Sequence, residues 1–279
     1  MDDATEATQR EGRPPDEREL TTELDAAQEF ATLGSRVALG HFRRDPAVKR
    51  KPDGTFATEA DWAAEAQIRL RIARAFPDHN VLGEEEGLTA AGGGAARPGA
   101  PTWIVDPIDG TNNFIAGIPV WATLVALAFD DEPVVGVCDA PAIDENYDGA
   151  SGMGARFNGK PISVAPAGSL SDAMVCLPGA ESFMSSGLGG FFDALVGACG
   201  RSRGFADFWG HMLVARGAAH VMVEPHLNLW DIAALQPIVT EAGGRVTHLD
   251  GKRWIDRGSC LTTNTALHDE VLALARDTV

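Results

Sequence analysis

The stretch Trp103-Ile-Val-Asp106-Pro-Ile-Asp109-Gly-Thr111 decides how this sequence is interpreted. Its apolar start predicts a buried strand that ends at Asp106, and Asp109 follows three residues later. Carboxylates at the end of a buried strand are costly unless they are paired or bind a metal. Spacing of three across a turn can aim both carboxylates at one point, and oxygen ligands without thiolate or imidazole favour Mg²⁺ or Mn²⁺. The alternative is a plain turn at Asp109-Gly110 with Asp106 as a helix cap.

Two further acidic sites lie at predicted element ends. Glu84-Glu85 follows a short predicted strand at Val81-Leu82, and Asp231 follows Trp230 at the start of an apolar helix. Taken alone, Asp231 is interpreted as an ordinary helix N-cap. Four acids at the ends of strands and helices together favour a shared cation site.

Strand and helix patterns alternate along the rest of the chain. A helix is predicted from a cap at Thr21 or Thr22 to Val37, and Thr58-Glu-Ala-Asp61 predicts a second helix that starts with a capping box. A later helix is predicted over residues 230–241. Mixed strands and helices of this kind are typical of a layered α/β protein.

The ends of the chain predict a simple organisation. Residues 1–20 are polar, lack periodicity and are expected to form a disordered extension. Residues 21–279 are expected to form two closely packed α/β halves, a metal-binding half at about 21–165 and a substrate-recognition half at 166–279.

Composition excludes several classes of protein. The 40 acidic residues exceed the 23 basic ones, so a formal net charge of −17 argues against binding nucleic acid or an anionic membrane. No apolar leader and no apolar run of about 18 residues is visible, which predicts a cytoplasmic chain that does not enter a membrane. The four cysteines are widely spaced without a CxxC pair, so we expect reduced thiols rather than a zinc site.

The acidic motifs also carry a family resemblance. Gly83-Glu84-Glu85, the stretch 103–114 (WIVDPIDGTNNF), and Trp230-Asp231-Ile-Ala-Ala with Glu241-Ala-Gly-Gly resemble the inositol monophosphatase family of Mg²⁺-dependent, lithium-sensitive phosphomonoesterases. The resemblance runs from about residue 21 to the C-terminus. It implies an α/β/α/β/α sandwich of the inositol monophosphatase/fructose bisphosphatase type. Segments 117–124, 204–208 and 224–225 are most similar to the bacterial histidinol-phosphate phosphatase branch.

The resemblance implies roles for individual residues in binding two or three Mg²⁺ ions per active site, with Mn²⁺ as a substitute. The implied metal ligands are the side chains of Glu84, Asp106, Asp109 and Asp231 and the carbonyl of Ile108, with Asp106 bridging two ions. Backbone N–H groups of Gly110 and Thr111 would hold phosphate oxygens.

The same resemblance implies catalytic and substrate-binding groups. Thr111, hydrogen-bonded to Asp61, would orient a metal-bound water beside Glu84 and help to deprotonate it. Glu224 and Asp207 would contact the substrate, and a carboxylate at position 207 suits one that carries an ammonium and an imidazole. Capping of the following helix is the alternative role for Asp207.

The expected reaction is hydrolysis of a phosphate monoester by metal-activated water, with L-histidinol phosphate as first substrate and L-histidinol as product. An inositol or sugar phosphate is the second candidate and a 3′-phosphoadenosine phosphate the third. Two departures from the family bear on this choice: Asn112 stands where a lysine is frequent, and residues 144–153 replace an aromatic-rich strand. A non-catalytic binding module on the same scaffold is the alternative from another class. A small phosphorylated metabolite is the expected partner, and the resemblance implies a homodimer.

Overall fold

A computed structural model describes residues 17–52, 54–253 and 257–278. The disordered extension predicted for residues 1–20 lies outside the described residues as far as residue 16. Residues 17–20 belong to the first helix, which therefore begins four residues before the predicted cap at Thr21.

The first part of the described chain contains three helices and ten strands. The helices are α1 (Glu17–His41), α2 (Glu59–Ala75) and α3 (Thr111–Ile115). The strands are β1 (Val48–Arg50), β2 (Phe56–Thr58), β3 (Asn80–Gly83), β4 (Gly87–Ala90), β5 (Thr102–Asp109), β6 (Ala122–Phe129), β7 (Glu132–Ala140), β8 (Glu145–Ala150), β9 (Gly154–Phe157) and β10 (Lys160–Pro161). Short 3₁₀ turns cover Pro141–Ile143 and, further on, Leu170–Asp172.

The second part of the described chain contains six helices and five strands. The helices are α4 (Ala180–Ser185), α5 (Gly189–Ala198), α6 (Asp207–Ala215), α7 (Leu229–Ile232), α8 (Leu235–Glu241) and α9 (His268–Thr278). The strands are β11 (Met174–Cys176), β12 (Arg201–Arg203), β13 (Val221–Asn228), β14 (Arg245–Thr247) and β15 (Arg257–Thr263).

Two large sheets organise these elements. The first has the order β10-β9-β8-β7-β6-β5-β3-β4 and is antiparallel except where β3 runs parallel to β5. The second has the order β12-β11-β13-β15-β14, with β11 parallel to both of its neighbours. The predicted boundary near residue 165 falls between β10 and β11, the last strand of one sheet and the first strand of the other.

Separate apolar cores cover the faces of the sheets. On one face of the first sheet, α1 and α2 pack through Phe30 and Ile68 against Trp103 and its neighbours. The other face packs against α6 and α8, and α6 also contacts the second sheet through Leu213 and Val214. Helices α5 and α9 cover the far face of that sheet. The order of layers is therefore α/β/α/β/α, and the predicted fold class is confirmed.

Two segments differ from the sequence-based expectations. The single helix predicted over 230–241 is two short helices, because Pro237 has no N–H to bond the carbonyl of Ala233 and its ring crowds that carbonyl. No strand is predicted from the sequence for the segment 144–153, which replaces the family's aromatic-rich strand, but the segment contains β8, which pairs with β7 and β9 and buries Tyr147. In the described part of the chain, no helix is long and apolar enough to cross a membrane.

Candidate active site

Strand β5 delivers two aspartates to one point by means of a β-bulge. Asp106 pairs with Leu124 of β6 and Asp109 with Ala122, so three steps along β5 match two along β6. Side chains alternate between the faces of a regular strand, so residues three apart would point to opposite faces. The extra residue restores the same face for both aspartates. The hydroxyl of Thr123 fixes the bulge by donating to the Pro107 carbonyl at 2.8 Å.

Asp61 and Asp231 are both positioned by a capping box at the N-terminus of a helix. Each is the third residue of a helix and completes a capping box, with Thr58 as the N-cap of α2 and Asn228 as the N-cap of α7. In each case one oxygen accepts the backbone N–H of the cap, at 2.7 Å. The interpretation of Asp231 as an ordinary N-cap is wrong, because Asn228 is the N-cap of α7 and Asp231 is the third residue of its capping box. The second oxygen of Asp61, Oδ1, is buried without a hydrogen-bond partner.

Three carboxylates from these elements meet. Oxygens of Asp106, Asp109 and Asp231 all lie within 4.8 Å of one another. Asp106 is 2% exposed and Asp109 is 7% exposed. Within the described ranges, no lysine or arginine forms an ion pair with any of the three. The cluster therefore concentrates negative charge in a buried place without a protein cation.

The pKa values of these acids reflect that arrangement. Burial and the neighbouring carboxylates, Glu84 first among them, raise the pKa of Asp106 well above its ordinary value. Burial and the carboxylates of Asp207 and Asp231 do the same to the pKa of Asp109. Burial raises the pKa of Asp231 to about 7 against the N–H bond from Asn228. A hard divalent cation fits this donor set, since carboxylate oxygens are its preferred ligands and its charge would compensate the repulsion.

Glu84 lies directly after β3 but is not one of the three clustered carboxylates. Its Oε1 pairs with Lys51 Nζ at 2.9 Å, and the same ammonium contacts Glu85 Oε1 at 2.6 Å. Burial lowers the pKa of Lys51, but the two carboxylates outweigh it and raise that pKa overall. Sequence reasoning missed Lys51. The available signal was its rarity, because it is one of only four lysines in the chain.

The N-terminus of α6 joins the two halves of the site. The backbone N–H of Phe208 donates to Asp109 Oδ2 at 2.6 Å, and that of Asp207 donates to Glu224 Oε1 at 3.1 Å. Asp207 has a left-handed φ of +54°, which aspartate tolerates better than most residues. Its side chain makes no cap hydrogen bond, so the capping alternative for Asp207 is wrong.

Asn113 holds the side chain of Asp207 instead. Its Nδ2 donates to Asp207 Oδ2 at 3.0 Å and to the Val120 carbonyl at 2.9 Å. The Asp207 carboxylate also lies beside Gly110, where a Cβ would stand 3.5 Å from Oδ2 and 3.1 Å from the Val120 oxygen. With φ at +85°, position 110 favours glycine on conformational grounds as well. Sequence reasoning also missed Asn113.

The expected hydrogen bond between Thr111 and Asp61 is absent. The Thr111 hydroxyl donates to the Ile108 carbonyl at 3.0 Å. Asp61 Oδ2 is occupied by Thr58, whose N–H and hydroxyl both donate to it, and Oδ1 has no partner. The Thr111 hydroxyl bonds a carbonyl three residues earlier in the chain, and this local contact replaces the expected contact with Asp61.

With this geometry established, comparison with known proteins identifies the family. A sequence model of the inositol monophosphatase family matches residues 19–279. The chain belongs to the inositol monophosphatase family. The histidinol-phosphatase of Streptomyces coelicolor is 41% identical over 92% of this chain and 96% of its own length. That of Mycobacterium tuberculosis is 41% identical over 85% and 90%.

Solved structures agree with this assignment to the inositol monophosphatase family. The inositol monophosphatase of Anabaena has a TM-score of 0.79 at 27% identity and covers 94% of this chain and 98% of its own. The Thermotoga maritima inositol monophosphatase has a TM-score of 0.78 at 30% identity, with the same coverage. The predicted enzyme class, a phosphoric monoester hydrolase, is confirmed.

Proposed function

We propose that this member of the inositol monophosphatase family hydrolyses L-histidinol phosphate to L-histidinol and inorganic phosphate in a Mg²⁺-dependent reaction. The observation that carries the metal dependence is the buried cluster of Asp106, Asp109 and Asp231, with which no lysine or arginine among the described residues forms an ion pair. The histidinol-phosphatases at 41% identity support the choice of substrate.

Two or three Mg²⁺ ions would be held by residues already described, and Mn²⁺ would substitute. The proposed ligands are Glu84, Asp106, the Ile108 carbonyl, Asp109 and Asp231. When bound, such ions neutralise charge on phosphoryl oxygens and lower the pKa of water. Lys51 already offers a positive charge to Glu84, so it would share that carboxylate with an ion or move aside.

The remaining catalytic groups orient water and phosphate. The Thr111 hydroxyl donates its hydrogen to the Ile108 carbonyl, so the lone pairs of its oxygen can accept a hydrogen bond from the attacking water. Glu84 and Asp61 are the proposed carboxylates that accept the proton of that water. Gly110 and Thr111 would donate backbone N–H groups to the phosphate. We propose no covalent intermediate: the oxygen of water bonds to phosphorus as the bond between phosphorus and the alcohol oxygen breaks, and the departing alkoxide takes a proton from solvent water.

Asp207 and Glu224 are the proposed substrate-binding residues. Both are oriented by uncharged donors, Asn113 for the first and the backbone N–H of Asp207 for the second. In the part of the chain that the structure describes, neither carboxylate forms an ion pair with a lysine, arginine or histidine, and a substrate ammonium or protonated imidazole would supply the positive charge. Asp207 lies beside Gly110, which brings this recognition next to the proposed phosphate site.

An inositol or sugar phosphate is the second candidate substrate. A protein named fructose-1,6-bisphosphatase/inositol-1-monophosphatase from Aquifex aeolicus is 34% identical over 91% of this chain and 95% of its own length. Hydroxyl groups could also hydrogen-bond Asp207 and Glu224.

A panel of substrates tests the proposal. Phosphate release is measured with histidinol phosphate, inositol monophosphate, fructose bisphosphate and adenosine bisphosphate, each with Mg²⁺ and with a chelator. The proposal expects the highest kcat/KM for histidinol phosphate and no release with chelator. Faster hydrolysis of inositol monophosphate would transfer the assignment to the second candidate. Phosphate release that persists with chelator would contradict the proposed metal dependence.

We also propose that the enzyme is a homodimer, as the family resemblance implies. Light scattering on the purified full chain measures its mass, and a mass of one chain would contradict this proposal.

A further inference from the structure

Helix α2 places a second acid, Glu65, one turn after Asp61 and away from the carboxylate cluster. The Glu65 side chain is fully buried. Its Oε2 accepts the backbone N–H of Glu85 at 2.8 Å, and its Oε1 accepts that of Glu86 at 3.0 Å. One buried carboxylate thus binds two successive amides of the segment that follows Glu84.

Arg69 completes this anchor from the same helix. Its Nε donates to Glu65 Oε1 at 2.8 Å. One terminal nitrogen donates to the Gly87 carbonyl at 2.6 Å and the other to the Thr89 hydroxyl at 3.0 Å. The ion pair therefore contacts the chain from position 85 to position 89, on the C-terminal side of Glu84.

On the N-terminal side of Glu84, Gly83 allows the backbone of β3 to pass close to the Glu65 carboxylate. A Cβ at this position would lie 2.1 Å from Glu65 Oε1, so the strand passes directly over the carboxylate and only glycine fits without displacing it. Glu84 is consequently held between Gly83 and Glu85, both of which contact Glu65.

We propose that Glu65 is a positioning residue that fixes the backbone of Glu84 and thereby sets the affinity of the site for its divalent cation. This inference rests on the proposed function in one respect, the role of Glu84 as a metal ligand. Glu65 itself touches neither cation nor substrate.

Replacement by glutamine isolates the effect. Glu65→Gln keeps the size of the side chain, but its NH₂ group would face a donor, either a loop amide or Arg69. A buried donor without an acceptor and a buried arginine without its anion are both unfavourable, so the segment 84–87 would shift. Disturbing a residue that orients a metal ligand typically weakens metal binding by about 10- to 100-fold.

A matched control exists on the same helix. Arg71 pairs with Glu29 of α1, and these side chains are 40% and 53% exposed. Glu29→Gln also removes the carboxylate partner of an α2 arginine, but the pair lies at the surface and exposed pairs contribute about 0 to 1 kcal/mol. It should leave metal binding unchanged.

The experiment measures Mn²⁺ binding to the full chain by electron paramagnetic resonance, without substrate, well below the thermal unfolding temperature of each variant. We expect the Kd for Mn²⁺ to rise about 10-fold or more in Glu65→Gln and to stay at the wild-type value in Glu29→Gln. A role limited to stability would lower the unfolding temperature without changing the Kd.

The outcomes separate the two proposals. A folded Glu65→Gln variant with wild-type Mn²⁺ affinity overturns the positioning role and leaves the metal site intact. If Glu65→Gln does not fold, Arg69→Lys is the second test, because lysine keeps the positive charge but lacks the two terminal nitrogens that reach Gly87 and Thr89. Weaker Mn²⁺ binding by Arg69→Lys supports the positioning role of Glu65, and unchanged Mn²⁺ binding overturns it. A wild-type chain that binds no Mn²⁺ overturns the metal site itself and, with it, the role of Glu65.

Discussion

Strands β5 and β13 end in the same way and present different chemistry. Each has an irregularity in which three steps along one strand match two along its partner, between Asp106 and Asp109 in β5 and between Glu224 and Leu227 in β13. At the end of β5 the carboxylates face one another. At the irregularity of β13, Glu224 accepts a backbone N–H from the start of α6.

These two arrangements suit different functions within one acidic pocket, metal binding at β5 and substrate recognition at β13 and α6. The acids of β5, joined by Asp231, repel one another and suit a divalent cation. Those of the β13 and α6 region are each oriented by a neutral donor, which suits recognition of a substrate group. Asp109 connects the two regions, since it belongs to the cluster and also accepts the N–H of Phe208.

Asp106→Asn should have the strongest effect on the carboxylates at the end of β5. Loss of the proposed bridging carboxylate should lower kcat by about 1,000-fold, equivalent to about 4 kcal/mol of transition-state stabilisation. The fold should persist, because the change removes a repelled buried charge. Steady-state phosphate release measures the effect, with the exposed Asp193→Asn on α5 as control. Substantial Mg²⁺-dependent turnover by Asp106→Asn would show that this residue does not bridge two ions.

Metal removal should reveal the repulsion among the β5 acids. The pKa values of these acids in the folded state lie above the ordinary 3.8. Above pH 3.8 the folded state therefore binds more protons than the unfolded state. The stability of the metal-free protein should fall as the pH rises from 3.8 towards the folded-state pKa values, of which that of Asp231 is about 7. At neutral pH, Mg²⁺ at 100 times its Kd should then add about 2.7 kcal/mol of stability.

Scanning calorimetry with Mg²⁺ and with chelator measures this as a rise in Tm of several degrees, about 2 to 4 °C per kcal/mol for a chain of this size. The rise should shrink in Asp106→Asn. Equal Tm values with and without Mg²⁺ in the wild type would contradict binding at the cluster.

Asp207→Asn tests the proposed substrate-binding region at the start of α6. Asparagine keeps the size of the side chain and tolerates the left-handed φ of +54°, so strain is avoided. Loss of the charge should lower kcat/KM for histidinol phosphate by about 10-fold, the value of one hydrogen bond to a charged group, with little change for inositol monophosphate. Equal losses for both substrates would end the assignment of Asp207 to a cationic group.

A further expected effect is on stability and concerns the anchoring of α6 on the second sheet. His211 is buried in α6, its Nδ1 lies 2.7 Å from the Thr262 hydroxyl of β15, and burial lowers its pKa to about 3. Below the ordinary pKa of 6.5 the unfolded state takes up a proton that the folded state does not, so stability falls as pH falls from 6.5 towards 3.

The slope from this one group is at most about 1.4 kcal/mol per pH unit. Urea unfolding at pH 7, 6 and 5 compares the wild type with His211→Asn, which should show a shallower loss in acid. Parallel losses in both proteins would mean that His211 does not contribute.

The sequence predicts the layered fold and the capping box at Asp61, because apolar periodicity and helix caps are local signals. The break at Pro237 is also local and could have been predicted. The bulge in β5 could not, since it exists only in the register between β5 and β6. The roles of Lys51, Asn113 and Glu65 depend on contacts between residues 7 to 94 positions apart, which one sequence does not reveal.

We propose that acids from distant parts of the chain share divalent cations. Anomalous diffraction from crystals of the full chain grown with Mn²⁺ tests it most directly. We expect at least two anomalous peaks among the carboxylates of Glu84, Asp106, Asp109 and Asp231, with Asp106 in contact with both. Mn²⁺ peaks confined to other surfaces, with those four side chains binding no ion, would contradict it.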